Sequence, residues 1–144
     1  MKRVPNEALD LTDDDIYCHE GTPFTGVSYF LGKEGRLKAE HEYREGMRWG
    51  LSRAWFEPNK LENEERWEQG LLHGLRREWD ETGRLIAEEM FEYGTRVWGK
   101  RWDDEGRLVE DFVLKESDPA FNTLRMYRTA YAKAGLRSED QQGR

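Results

Sequence analysis

GLLHGLRREWDETGRLIAEEMFEYG, residues 70–94, is one unit of a pattern that recurs along most of the chain. Four units begin at glycines spaced 25, 24 and 24 residues apart, namely Gly21, Gly46, Gly70 and Gly94. Later in each unit comes a leucine: Leu37, Leu61, Leu85 and Leu108. An acidic residue follows three positions on, and an aromatic three further, replaced by Leu114 in the last unit. Self-similarity at this period is typical of stacked supersecondary units, so the sequence favours a binding protein over a compact enzyme.

Two turn signals divide every unit into short segments. The first, just before the leucine, is a glycine or asparagine, the types that most readily accept positive φ: Gly35, Asn59, Gly83 and Gly106. The second is a glycine pair, which predicts a slightly longer hairpin loop: Gly21/Gly26, Gly46/Gly50, Gly70/Gly74 and Gly94/Gly99. The segments between turns have strand length. We therefore predict an all-β fold, an antiparallel meander of about four repeated β-hairpins in one elongated twisted sheet, with a C-terminal α-helix.

Alternation within the return strands assigns their residues to two faces. One face holds the leucine and the aromatic of each unit, with a charged residue or histidine between them. The other face is mostly charged and holds Lys38, Glu40, Glu42, Glu62, Glu64, Arg66 and Glu88. Cross-strand Arg–Glu pairs with Arg53, Arg76, Arg77 and Arg101 are expected, each contributing about 0.2–1 kcal/mol. The short spacing from Gly99 to Leu108 predicts a bulge or shifted register near residues 98–102.

The two ends depart from the repeat, which we place at residues 21–116. Within the N-terminal segment, residues 1–20, Ile16-Tyr17-Cys18 is predicted to be an edge strand. Ser117 or Asp118 suits a helix N-cap and Pro119 suits the first helical turn, so a capping helix is predicted over residues 117–135. We expect this helix to fold over the last hairpin and cover its edge. Residues 136–144 are predicted to be a disordered polar tail.

Composition narrows the possible partners. Net charge is −7 over 144 residues, which argues against a general nucleic-acid or anionic-membrane binder and permits a basic partner. Cys18 is the only cysteine, so an internal disulfide is excluded. No apolar run approaches the roughly 20 residues that span a bilayer, and no signal peptide is visible. We therefore expect a cytoplasmic protein.

The unit at residues 70–94 resembles the MORN-repeat variant found in bacterial YwqK-type antitoxin proteins. It matches the typical unit of that family at Gly70-Leu71-Leu72-His73-Gly74, Trp79, Gly83-Arg84-Leu85, Glu88 and Phe91. The second unit matches with Trp49 in place of His and Asn59 in place of Gly. The resemblance covers about two-thirds of the chain. It implies a MORN-like sheet and an antitoxin function, while related repeats elsewhere act as scaffolds and docking surfaces.

No arrangement of residues in the sequence points to catalysis. His19, His41 and His73 are spread over the chain, and Cys18 and His19 would point to opposite faces of a strand. His73 is placed in a hairpin loop with a structural role. The sequence contains no CxxC, HExxH or Walker glycine loop. We therefore predict no catalytic residues, no cofactor and no metal.

Partner contacts are predicted from exposed tryptophans and from the acidic stripe. Trp49 and Trp98 are placed in turns, where burial is difficult, and exposed tryptophan is enriched at binding hot spots. The acidic stripe, Glu40, Glu62, Glu64 and Glu88, would suit a basic toxin and accelerate its capture. The leading hypothesis is an antitoxin or immunity-type protein that neutralises a toxin by direct stoichiometric binding. The alternative is a non-catalytic scaffold or adaptor, and the oligomeric state is left open.

Overall fold

The computed structural model describes residues 1–134 of the chain, so the predicted tail and Gly135 lie outside the described residues. The protein is mostly β, with one large, mostly antiparallel sheet and one C-terminal helix. Its strands are β1 Arg3–Pro5, β2 Leu9–Leu11, β3 Tyr17–His19, β4 Thr22–Pro23, β5 Gly26–Leu31, β6 Leu37–Arg44, β7 Met47–Glu57, β8 Lys60–Glu68, β9 Leu71–Leu72, β10 Gly74–Trp79, β11 Leu85–Glu92, β12 Thr95–Trp102 and β13 Leu108–Val113. The helix, α1, is Pro119–Lys133.

The order of the large sheet is β1-β5-β6-β7-β8-β10-β11-β12-β13, with β9 paired to β8, so from β5 onward it follows the order of the chain. The prediction of an edge strand at Ile16-Tyr17-Cys18 is wrong in its placement. β3 is instead the central strand of a separate three-stranded sheet with β2 and β4. The N-terminal edge of the large sheet is β1, which pairs in parallel with β5. The small sheet contacts the large one through Tyr17, whose ring centroid lies 5.2 Å from that of Tyr43.

The glycines that begin the units form two-residue hairpin turns, which are shorter than predicted. Only two residues separate the paired strands, and both have positive φ: Glu45 and Gly46 (51°, 81°), Gln69 and Gly70 (50°, 79°), Tyr93 and Gly94 (47°, 82°). Two residues at positive φ are what a type I′ turn requires, so no longer loop is needed. The second glycine of the predicted pairs therefore lies in or beside the following strand, as Gly50 does in β7.

Each of these turns is tied to the preceding unit by a backbone hydrogen bond. The donor is the glycine N–H and the acceptor is a carbonyl oxygen 22 residues earlier: Gly46 to Phe24 at 2.8 Å, Gly70 to Arg48 at 2.9 Å, Gly94 to Leu72 at 2.8 Å. The other turn signal is confirmed, since Gly35, Asn59, Gly83 and Gly106 all have positive φ.

The fourth unit has the same geometry as the others if Gly99 is not taken as the equivalent of the second glycine. In earlier units the second glycine lies opposite the aromatic landmark, as Gly74 lies opposite Phe91. The corresponding contact in the last unit is the Leu114 N–H to the Val97 carbonyl at 2.8 Å, so Val97, not Gly99, is the equivalent residue. The predicted irregularity is present between Arg101 and Trp102. Equivalent shifts occur at Phe30/Leu31, Ala54/Trp55 and Glu78/Trp79, so it belongs to every unit.

Apolar packing is concentrated at the two ends of the sheet. At the N-terminal end Val4, Phe24 and Tyr43 form a buried cluster. At the other end α1 buries Leu124 completely and stacks Tyr131 on Tyr93, with ring centroids 4.7 Å apart and planes 16° apart.

The helix does not cover the edge of the last hairpin, as the sequence predicts it should. Arg128 of α1 contacts Glu92 at 2.8 Å, and Tyr131 donates to Gln69 Oε1 at 2.8 Å. Those partners lie at the type I′ turns, and most residues of β13 remain exposed. At this position the Tyr131 ring stacks on Tyr93, and an aromatic pair of this kind contributes about 0.5–1.5 kcal/mol beyond the area that it buries.

Replacing the turn glycine by alanine should cost more at position 46 than at position 70. Both glycines have nearly the same φ, 81° and 79°, so both variants pay about 1–2 kcal/mol for a left-handed residue. A Cβ at Gly70 meets open space, whereas at Gly46 it would overlap the Ile16 side chain and lie 2.9 Å from the Tyr17 carbonyl oxygen. Gly46→Ala should therefore lose about 1–3 kcal/mol more. Urea denaturation of both variants measures the difference, and equal losses would contradict the close approach.

Candidate functional site

One face of the large sheet carries a row of alternating charges. Strand register places these residues side by side from β6 to β13: Glu40, Arg53, Glu64, Arg77, Glu88, Lys100 and Asp111. Arg53 Nε lies 2.8 Å from Glu64 Oε2, and Arg77 Nε lies 2.8 Å from Glu88 Oε2. Arg–Glu pairing across strands is therefore confirmed. We call this line of seven residues the charge row.

Ion pairing changes how the acidic stripe is presented to a partner. Each carboxylate of the stripe has a cation beside it: Glu40 with Arg3 at 2.9 Å, Glu62 with Lys38 at 4.0 Å, Glu64 with Arg53 at 2.8 Å, and Glu88 with Arg77 at 2.8 Å. The fields of neighbouring opposite charges cancel at distances larger than their separation, and salt screens what remains beyond the roughly 8 Å Debye length. The stripe therefore contributes little long-range attraction for a basic partner. The sequence pattern shows the glutamates clearly but does not show which cations face them.

The opposite face of the sheet has its densest ionic cluster at Arg76. Its Nε lies 2.8 Å from Glu65 Oε2, and its Nη1 lies 2.8 Å from both Glu78 Oε2 and Glu89 Oε1. Burial opposes the charged form of the guanidinium, but hydrogen bonds to these carboxylates outweigh it and raise the pKa of Arg76. Arg76, whose side chain is 25% exposed, thus joins three carboxylates on three strands. Arg96 and Arg101 are second cations beside Glu89 and Glu78.

His41, on the same face as Arg76, is kept neutral by its surroundings. Burial, and secondarily the positive charge of Arg48, lower its pKa from 6.5 to about 4, with Glu65 opposing the shift. An imidazolium here would lie in a poorly solvated part of the sheet. The side chain is a structural element of that face and is not poised for proton transfer near neutral pH.

Two equivalent side chains cap the type I′ turns of their units. Thr25 Oγ1 accepts the Glu45 N–H at 2.9 Å, and His73 Nδ1 accepts the Tyr93 N–H at 2.9 Å. Both acceptors lie 20 residues before the N–H that they bind. His73 is buried beside the turn, so its predicted structural role is supported, but it lies between β9 and β10 and not at a loop tip.

Trp49 occupies the same position in the second unit, 24 residues after Thr25 and 24 before His73. An indole offers a donor and no acceptor, so Trp49 cannot cap the Gln69 N–H in the same way. The prediction that Trp49 lies in a turn is wrong, because β7 starts two residues earlier. It is half-buried on that strand, and the Arg44 guanidinium carbon lies 4.3 Å from its ring centroid.

A cleft of about 310 Å³ lies beside Trp49. Its lining includes Glu42, Arg44, Trp49, Arg66, Trp67 and Glu68. Glu42 is committed to the sheet, since its Oε1 accepts the Leu51 N–H at 2.8 Å and fills the space that a side chain at Gly50 would need. The cleft therefore offers aromatic surface and two guanidinium groups, which are the side-chain types enriched at protein-binding hot spots. Arg44 and Arg66 carry no distinguishing pattern in the sequence, although the 24-residue spacing of Thr25, Trp49 and His73 is readable there.

Trp98 lies far from this cleft. It is also on a strand and not in a turn, half-buried in β12 between Met90 and Val113. Three strands separate β12 from β7, which corresponds to about 19 Å across a sheet. The two tryptophans therefore belong to different surfaces.

Within residues 1–134, no group of three His, Cys, Asp or Glu side chains is placed to hold a metal ion. In the same part of the chain no helix is long and apolar enough to cross a bilayer. Comparison with protein-family models, curated proteins and solved structures finds no significant match to this chain.

Removing the Arg76 guanidinium should destabilise the fold more than removing its neighbour. Arg76→Met removes the cation beside Glu65 and one of the two cations beside Glu78 and Glu89, which keep Arg101 and Arg96. The expected cost is about 3 kcal/mol, because the Glu65 carboxylate is partly buried. Arg77→Met is the matched control on the next residue, because Arg77 is 37% exposed and, among residues 1–134, forms its ion pair with Glu88. Its expected cost is about 0.2–1 kcal/mol. Unfolding in guanidinium chloride measures both costs. If the two variants had the same unfolding midpoint, the result would contradict the role given to Arg76.

Stability should fall as the pH drops from 7 toward 4, partly because of His41. The pKa is 6.5 when unfolded and about 4 when folded, so between these values the unfolded chain binds a proton that the folded chain does not. His41 thus favours the fold fully above pH 6.5, and its contribution diminishes as the pH falls through that range. His41→Gln should show a smaller loss of unfolding free energy between pH 7 and pH 5 than the wild type. The same slope in both proteins would show that His41 does not titrate in this way.

Proposed function

We propose that this protein is a non-catalytic, cytoplasmic protein-binding module of the bacterial antitoxin or immunity type, built as a MORN-like stack of about four β-hairpins. Support for the architecture comes from the equivalent turns and inter-unit hydrogen bonds at Gly46, Gly70 and Gly94. Support for the function comes from the resemblance of residues 70–94 to the YwqK-type unit and from the Trp49 cleft. The module would neutralise a toxin by stoichiometric binding that covers the toxin's active surface.

Trp49 is the observation that carries the binding role. The equivalent residues Thr25 and His73 stabilise the fold by capping a turn N–H at 2.9 Å. Trp49 cannot form that hydrogen bond, and its half-buried indole, with the Arg44 guanidinium over the ring, lines a cleft. A residue that departs from a stabilising pattern in this way is typical of a functional surface, where stability and activity compete.

The cleft favours recognition by close contact over long-range attraction. Tryptophan and arginine are enriched among the few residues that supply most of the binding energy of an interface. Because the charge row is internally compensated, steering by the acidic stripe is secondary. A toxin side chain or loop entering the cleft would contact its lining residues, which include Trp49, Arg44, Arg66 and Glu68.

A scaffold or adaptor is the second candidate function. The exposed strand β13 favours it, because an open sheet edge is a ready site for joining another chain. Mass measurement of the purified protein by sedimentation velocity over a range of concentrations separates the two. Self-association that Trp49 substitutions leave unchanged would favour the scaffold.

Trp49→Thr should separate binding from folding. The substitution copies Thr25, so it restores a turn cap worth about 0.5–1.5 kcal/mol, which offsets the lost indole packing. Thermal stability should stay within a few degrees of wild type, whereas partner binding should weaken by about tenfold or more. Trp98→Thr is the matched control on a different surface.

The assay expresses the neighbouring gene of the native operon alone and together with this protein, followed by a pull-down. Relief of toxicity with co-purification at fixed stoichiometry, lost in Trp49→Thr and kept in Trp98→Thr, is the expected result. An absence of toxicity, or relief without physical binding, would contradict neutralisation of that neighbour. Unchanged affinity in Trp49→Thr would remove the cleft from the proposal.

A further inference from the structure

The two edges of the large sheet differ in how they meet other chains. β1 has three residues, ends at Pro5 and pairs in parallel, and short strands with proline are common devices for blocking edge pairing. β13 has six residues, pairs in the antiparallel sense with β12 on one side, and exposes Val109 (59%) and Val113 (62%). Because α1 packs on the type I′ turns, it leaves this second edge open.

Backbone hydrogen bonding determines which residues of β13 point outward. The Leu114 N–H donates to the Val97 carbonyl oxygen at 2.8 Å, so residue 114 belongs to a hydrogen-bonded pair with β12. Hydrogen-bonded and non-hydrogen-bonded pairs alternate along antiparallel strands. Phe112 and Glu110 therefore direct their N–H and C=O groups toward β12. Asp111 and Val113 direct theirs to the open edge.

The charge row reaches this edge at Asp111. From β6 to β13 its signs alternate strictly, and the last two members are Lys100 and Asp111. Among residues 1–134, no cation lies within 4.0 Å of the Asp111 carboxylate, which is exposed. A further strand beside β13 would place its own residue opposite Asp111, and a basic side chain there would continue the alternation. Opposite charges directly across a strand pair stabilise it, and like charges destabilise it.

We propose that the β13 edge binds an extended segment of a partner protein as an added strand, with a lysine or arginine opposite Asp111 and β-branched residues two positions to either side. The β-branched side chains lie over Val109 and Val113 on the face of the charge row. Main-chain hydrogen bonds from Asp111 and Val113 supply affinity, and the basic residue sets the register.

A second copy of β13 is a poor occupant of this edge. Two-fold antiparallel pairing centred on the strand, through Glu110 or Asp111, sets that acidic residue directly against its own copy. The acidic pair discourages self-pairing, which is a common use of charge on edge strands. This surface is separate from the Trp49 cleft, so the proposal stands or falls independently of the proposed function.

The test uses two fluorescein-labelled peptides, TVTRTVT and TVTETVT, titrated with the full chain at low salt and followed by fluorescence anisotropy. The arginine peptide should bind about fivefold or more tightly than the glutamate peptide. Asp111→Lys should reverse this preference. Glu81→Lys, which makes the same charge change at an exposed turn, should keep it. Equal binding of the two peptides, or a preference unchanged by Asp111→Lys, would overturn the proposal.

Amide hydrogen exchange of the wild type provides a second readout if Asp111→Lys does not fold. The Asp111 and Val113 amides should gain protection when the arginine peptide is added, and the Glu110 and Phe112 amides should not change. Protection without that alternation would show that the peptide does not add as a strand. Concentration-dependent dimerisation that Val113→Pro abolishes would make a second copy the occupant and overturn the assignment to a basic segment.

Discussion

The structure depends on one local constraint, the two-residue turn in which both residues have positive φ. A two-residue turn fixes which residues of the flanking strands pair, so the position of its glycine determines the register of each hairpin. The glycine N–H then donates to a carbonyl of the preceding unit, as Gly70 does to Arg48 at 2.9 Å, which joins one hairpin to the next. Because register repeats from unit to unit, equivalent side chains form rows that cross the whole sheet. Both ionic faces are consequences of that repetition.

These rows of ion pairs help to stabilise the sheet, as an apolar core does in other proteins. Buried apolar residues gather at the two ends, around Tyr43 and around Tyr93, while the middle of the sheet is held by Arg–Glu contacts such as those of Arg76. A single sheet has too little enclosed volume for an apolar core along its full length. The composition reflects this, with 37% charged residues against 36% hydrophobic ones. The cost is that most acidic side chains are committed internally and are poorly available for recognition.

Sequence spacing predicted the strands, the positive φ of Asn59 and the Arg–Glu pairs, since each depends on a local preference or on a period of two. It misassigned Gly99, because the equivalent position in the last unit is Val97, and only strand pairing reveals that shift. It placed Trp49 and Trp98 in turns because it assumed a longer loop than two residues at positive φ require. The candidate site was also predicted only in part. Trp49 was identified, but its neighbours Arg44 and Arg66 were not, because strand pairing brings them together.

The amino-acid sequence by itself determined the period, the turns and therefore the succession of strands, because glycine and asparagine at positive φ act through local backbone sterics. The tertiary structure alone decided three other properties. It placed a cation beside each glutamate of the stripe, it directed α1 onto Tyr93 and away from β13, and it left Asp111 at an open edge. Each involves residues distant in sequence, and the energies of such contacts depend on geometry that one-dimensional spacing does not contain.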